Sequence, residues 1–118
     1  MSSSFNKAFW KAIDKLVSES QVVIDRPKGS HHPNFPSTVY PVDYGYLSNT
    51  TSMDGGGIDI WVGSAPSRTA DAILCTIDLL KKDSEVKILV RCTPEEKALI
   101  YDFHNKSEYM RGLLITRE

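Results

Sequence analysis

No apolar run in this sequence approaches the roughly 20 residues of a membrane-spanning helix, so no helical span is expected. Positive charge is not in excess either: 14 Lys and Arg stand against 15 Asp and Glu. A formal charge of −1 sets up no overall field to gather nucleic acid or anionic lipid, so any phosphate site must be built by local placement of charges. Cysteine is scarce. Cys75 and Cys92, the two present, cannot make the disulfide scaffold of a small secreted domain, and they lack partner ligands at zinc-finger spacing. Lying in apolar β-like runs, they read as free buried thiols of a reducing compartment. A hairpin turning between Asp83 and Ser84 would set them opposite each other. Met1-Ser2-Ser3-Ser4 lacks the charged-then-apolar order of a secretion signal, and a cytoplasmic location is the expectation. Repeats, low-complexity tracts and long linkers are missing too. The 118 residues therefore read as a single domain of the commonest size.

What is present is a mixed pattern of helix and strand. Phe5, Phe9, Trp10, Ile13, Leu16 and Val17 recur at helical spacing, with Lys7, Lys11, Asp14, Lys15 and Ser18 on the opposite side. An amphipathic helix over about 5–19 follows, covering the body of the fold or offering its aromatic face to a second copy. Strands are expected at 21–25, within the aromatic run 39–47, at 58–63, from about 72 to 80, over 86–92 and at 112–116. Thr93-Pro94-Glu95-Glu96 combines a capping threonine, proline at the first helical position and the glutamate of a reciprocal capping box. It starts a helix to about His104 with Leu99, Ile100 and Phe103 inward. Five or six strands against two helices favour a small mixed β-barrel or curled sheet with helices packed on it, and disfavour a doubly wound parallel sheet.

Two stretches carry candidate chemistry. Asp54-Gly55-Gly56-Gly57-Ile58-Asp59 places a carboxylate at each end of three glycines, immediately before an apolar strand. Glycines allow tight turns and close backbone approach, and loop carboxylates suit a hard cation such as Mg²⁺. A Gly-rich hairpin with solvated acids would use the same residues. The second stretch is the Pro-containing loop Lys28-Gly29-Ser30-His31-His32-Pro33. Together with Arg26, its Lys28, His31 and His32 could form an anion-binding wall or be separately solvated; adjacent histidines on an extended chain do not share a metal.

The run from Val39 to Val62, with Tyr40-Pro41, Tyr44-Gly45-Tyr46 and Asp54-Gly55-Gly56-Gly57-Ile58-Asp59, resembles the central block of soluble, family I inorganic pyrophosphatases. Val22-Val23-Ile24-Asp25 is similar to that family's early strand, and Ser84-Glu85-Val86-Lys87-Ile88 to a later one. The resemblance implies an OB-like barrel with flanking helices and Mg²⁺-dependent hydrolysis of pyrophosphate, the metal neutralising phosphate oxygens and activating water. It implies Asp54 and Asp59 as metal-binding catalytic acids, Glu85 as a further catalytic acid and Asp25 as a possible metal ligand. Tyr44 and Lys87 would contact phosphate. The family's basic wall has no counterpart in the matched motifs; Lys28, His31 or His32 could stand in for it, though no motif dictates that.

The pattern also departs from the family. Gly56 and Gly57 stand where the family has an acid and a proline, the loop from Lys28 to Thr38 is short, and Asp83 is the nearest candidate for a further acid. His104-Asn105-Lys106 replaces a late Tyr-Lys pair. Three readings follow: a hydrolase of pyrophosphate or a related phosphoanhydride, a catalytically impaired binder of a phosphorylated ligand, and an OB-like module for a nucleic-acid strand or a protein. Near-neutral charge counts against nucleic acid; Tyr40, Tyr44, Tyr46 and Trp61 keep stacking open. The expected partner is a small phosphate-containing substrate, and a second copy could dock through the N-terminal helix or the barrel surface.

Overall fold

A computed structural model of the chain describes residues 4–52 and 55–117. In chain order the elements are α1 (Ser4–Ser18), β1 (Val22–Arg26), β2 (Asp43–Leu47), β3 (Ile58–Val62), β4 (Ala70–Asp78), β5 (Asp83–Val90), α2 (Pro94–Phe103) and β6 (Met110–Thr116). The strands form a six-stranded sheet ordered β1-β2-β3-β5-β4-β6. Neighbours are antiparallel except β3 and β5, which run parallel with Ile60 opposite Ile88. Pairing runs from β1 at one edge to β6 at the other without joining the two edges among the described residues. The expected mostly-β architecture of six strands and two flanking helices is present, with the sheet open rather than closed into a barrel. Among those residues no helix is long and apolar enough to cross a membrane.

The central strands are apolar at successive positions, so both faces of the sheet are covered. Ile60, Ile73 and Ile88 pack with Trp10 and Ile13 of α1 on one face. Trp61, Leu74 and Leu89 pack with Tyr40, Val42 and Ile100 of α2 on the other. Asp14 of α1 accepts from the Ala70 backbone N–H at 3.1 Å and pairs with Arg117 at 2.9 Å, fixing the helix to the start of β4 and the end of the chain. Beyond α1 the same face leaves Ile77, Val86 and Leu113 exposed. In α2, Ile100 is fully buried while Leu99 is exposed, which corrects the inward placing of Leu99: adjacent helical positions diverge by about 100°.

The cysteines are not opposite each other. Cys75 faces Val86 on β5, and Cys92 lies beyond that strand. The turn comes earlier than expected, because the Asp78 carboxylate accepts from the backbone N–H groups of Leu80 and Lys81, both at 3.0 Å. Lys82 completes it at φ 59°. Both thiols are free.

Candidate active site

Two glycines shape the ground on which the site stands. A Cβ at Gly45 would lie 1.8 Å from the Val23 carbonyl oxygen, so only glycine lets β1 close on β2 between Tyr44 and Tyr46. Gly55, at φ +83°, turns the loop from β2 into β3; its amide donates to the Ser52 carbonyl at 3.0 Å. The Thr50 hydroxyl then accepts from Ile58 N–H at 2.9 Å, anchoring the start of β3. Asp59 follows at once.

Strand alternation sends Asp59 and Trp61 of β3 to the same face as Glu85 and Lys87 of β5, and Tyr44 of β2 joins them. The Lys87 ammonium lies 2.6 Å from Asp59 Oδ2, 3.0 Å from Glu85 Oε1 and 3.0 Å from Tyr44 Oη. All three ammonium donors are thereby used. Lys87 itself is only 5% exposed. Burial works to lower its pKa, but the Asp59 charge and the hydrogen bonds to Asp59 and Tyr44 outweigh that and raise it, so the group stays an ammonium. Burial pushes the Tyr44 hydroxyl well up, against the opposing pull of Lys87, and it stays protonated. A neutral phenol beside a fixed ammonium can donate to an anionic oxygen.

These residues close one end of a cleft of about 630 Å³. Its floor is aromatic: Tyr44 meets Trp61 at 4.5 Å between ring centroids and Tyr40 at 5.4 Å, and Tyr40 meets Phe103 at 5.1 Å. Arg26 donates to the Tyr40 hydroxyl at 2.6 Å and lies over that ring. At the back, Trp61 Nε1–H donates to His104 Nε2 at 3.3 Å, which requires that nitrogen to be unprotonated. Burial, with a lesser contribution from the Lys87 charge, pushes His104 down to about 3. His104 stood in the sequence only as a departure from the family's late Tyr-Lys pair, and Phe103 only as an inward helix residue; both fall at the end of α2, where the helix delivers them to the floor.

Of the residues singled out by sequence, Tyr44, Asp59, Glu85 and Lys87 form the cluster, while Asp25 and His32 line the same cleft. Asp83 lines it as well. Lys28 does not: it is exposed and borders a separate hollow beside Asp43, whose carboxylate accepts its backbone N–H at 2.8 Å. His31 turns away, with Nδ1 2.6 Å from the Pro36 carbonyl. Asp54 lies outside the described residues. Among those described, no three His, Cys, Asp or Glu side chains are grouped to hold a metal. The oxygen donors are nonetheless those a hard divalent ion takes, since Mg²⁺ is commonly held by one or two carboxylates plus substrate phosphates rather than by a protein cage. The charge balance points the same way. Asp25, Asp59, Asp78, Asp83 and Glu85 share the cleft with Arg26, Lys81, Lys87 and Lys106, five acids against four basic groups, so the lining carries no excess of positive charge for a phosphate.

No protein-family model matches the sequence, and no curated protein is detectably similar to it. Solved structures are. The inorganic pyrophosphatase of Neisseria gonorrhoeae superposes with a TM-score of 0.65 at 13% identity, over 81% of each chain. That of Coxiella burnetii gives 0.58 at 17%, over 81% of this chain and 84% of that one. The Helicobacter pylori enzyme gives 0.55 at 19%, over 82% of each. At such identities the likeness is one of architecture: this chain has the fold of bacterial inorganic pyrophosphatases.

Proposed function

We propose that the chain is a Mg²⁺-dependent hydrolase of pyrophosphate or a related phosphoanhydride. The observation that carries this reading is the meeting of Tyr44, Asp59, Glu85 and Lys87 at one end of the cleft. Asp59 with Glu85 would hold the ion, with Asp54 and Asp25 as further acids; when bound, Mg²⁺ neutralises phosphate oxygens and acidifies water. The chain's own groups supply the rest. Lys87, kept charged, exchanges a bond to Tyr44 or a carboxylate for one to a phosphate oxygen, a charge-assisted contact stronger than a neutral one. Tyr44, kept protonated, donates to the same group. The aromatic floor excludes water from beneath the phosphates and so strengthens both contacts.

A second reading is that the chain binds a phosphorylated ligand without turning it over. Gly56 supports it, because a side chain able to take a proton from the attacking water is missing there, and such help is worth about 10²–10⁴-fold. An OB-like strand-binding module fares worse, since carboxylates crowd the cleft that a nucleic-acid backbone would follow.

The test is phosphate release from pyrophosphate by pure protein with Mg²⁺. The expected result is turnover that Asp59→Asn lowers by about 10²-fold or more while the fold is kept. Thermal stabilisation by pyrophosphate and Mg²⁺ without release would select the second reading. Indifference to both would end the phosphate assignment.

A further inference from the structure

The cleft is larger than two phosphoryl groups require. Its volume of about 630 Å³ falls in the middle of the roughly 300–1,000 Å³ range of sites for larger organic ligands, and its lining includes the rings of His32, Phe35, Tyr40 and Tyr44. Phe35 lies at the lip with 64% of its surface exposed. His32 packs against it at 5.1 Å between centroids and stacks on Tyr40 at 6.4 Å, the planes only 12° apart. Tyr40 in turn stacks on Tyr44 at 5.4 Å. A ladder of rings thus runs from the lip to the hydroxyl that touches the Lys87 ammonium.

The ladder is held in place by its own loop. The loop closes through a bridge between His31 and Val39, with His32 N–H donating to the Thr38 carbonyl at 2.9 Å. Thr38 N–H donates to the Phe35 carbonyl at 2.8 Å, fixing the turn that carries the outer ring. His32 Nδ1 accepts from Asn34 N–H at 3.0 Å, so in the neutral ring the proton is on Nε2, where it can be donated. Ser37 and Thr38 line the same wall. An exposed aromatic rung beside hydroxyls and a ring N–H, ending at an ammonium and a phenol, suits a ligand with a flat heterocycle at one end and phosphates at the other.

We propose that the outer half of the cleft is a nucleoside subsite, so that the substrate is a nucleoside diphosphate or triphosphate whose base lies on Phe35 and His32 and whose phosphates reach Tyr44 and Lys87. The proposal rests on the phosphoanhydride reading above and narrows it. For a diphosphate, a water oxygen bonds the terminal phosphorus and the bridging P–O bond breaks. The departing oxygen keeps the electron pair, giving nucleoside monophosphate and phosphate, and the water's proton passes to solvent.

The experiment measures binding to the whole protein, with Mg²⁺, of two non-hydrolysable probes: α,β-methylene adenosine diphosphate and methylenediphosphonate, which share a P–C–P core and differ by the nucleoside. The nucleoside probe is expected to bind at least about tenfold more tightly, as a stacked base contributes roughly 1–3 kcal/mol and tenfold is about 1.4 kcal/mol. Phe35→Ala should collapse the ratio of the two affinities towards one, and Phe35→Trp should restore it. Equal affinities in the unmodified protein, or a ratio that Phe35→Ala leaves intact, would overturn the subsite and leave the phosphate assignment standing. Binding of neither probe would overturn both. Tighter binding of a short single-stranded oligonucleotide than of the mononucleotide probe would replace the small-molecule substrate with a strand.

Discussion

Lys87 and Ile88 are adjacent in β5 and serve opposite faces of the sheet. Ile88 joins Ile60, Ile73 and the α1 residues Trp10 and Ile13 in an apolar layer. Lys87 joins Asp59, Glu85 and Tyr44 over an aromatic floor. The first face is stabilised by area removed from water, which is non-directional and tolerant of exchange among shapes. The second holds only while every charge has its partner, because an unpaired buried ion is costly. Substitutions on the first face should therefore move stability alone. On the second they should move stability and ligand binding together.

Lys87→Met gives the largest expected effect. It removes the ammonium and keeps most of the side-chain bulk, so Asp59 and Glu85 both lose the cation that they share. Breaking a buried pair in this way costs about 3–5 kcal/mol, read as a lower denaturant midpoint, and phosphate binding should be lost as well. Millimolar Mg²⁺ should recover part of that stability in the variant by replacing the missing cation. A variant as stable as the parent would mean that the cluster contributes nothing to the fold. Ile88→Ala, one position on, should cost about 2–5 kcal/mol from lost burial and a residual cavity. It should leave the affinity of the folded protein for pyrophosphate unchanged. A change in that affinity would show that the two faces are coupled through the sheet.

The division between faces also explains what could be read from the chain. Helix α2 begins at Pro94 behind a Thr93 cap because all the groups involved lie within four residues, so the sequence displays them together. Asp59, Glu85 and Lys87 share a face because β3 and β5 pair in parallel with Ile60 opposite Ile88. No local pattern encodes that register, and only the resemblance, over residues 39–62 for Asp59 and over 84–88 for Glu85 and Lys87, drew these side chains into one site. The β4–β5 turn was misplaced for a related reason. Leu79 and Leu80 look like strand residues but sit exposed in the turn, while the true punctuation is the Asp78 side chain bonding the two amides that follow. His104 showed in the sequence only as a departure from the family pattern, because a lone histidine after a helix is ordinary until the fold brings Trp61 against it.

That histidine supplies a pH-dependent comparison of the faces. Folded His104 is pushed down to about 3 by burial and by Lys87, while in the unfolded chain it titrates near 6.5. Between those values the unfolded state binds a proton that the folded state refuses. Stability is therefore fully kept above pH 6.5 and falls as the pH drops towards 3, by up to about 1.4 kcal/mol per pH unit. His104→Gln keeps an acceptor for the Trp61 N–H and cannot take the charge. Its denaturation midpoint should fall less steeply over this window than the parent's, and identical slopes would remove His104 as the cause.

The smallest expected effect tests whether the far end of α2 matters to the cleft. Thr93 Oγ1 accepts from Glu96 N–H at 3.2 Å, and Glu96 Oε1 accepts from Thr93 N–H at 2.8 Å. Burial works to raise the Glu96 pKa, but these bonds and those from Ser64 prevail and lower it. Thr93→Ala removes only the hydroxyl half of this exchange. Glu96 keeps its contacts with Ser64, at 3.1 Å from both the backbone N–H and the hydroxyl. The cost should thus be about 1 kcal/mol, within the usual range for a lost cap. Phe103 and His104, at the other end of the helix, are held by Trp61 and by each other. Kinetic constants for pyrophosphate should then stay within about twofold of the parent, since a cap lost at an exposed helix start does not propagate through a packed C-terminal turn. A larger shift would make α2 a lever on the cleft floor, and the charged face would extend beyond the side chains that touch it.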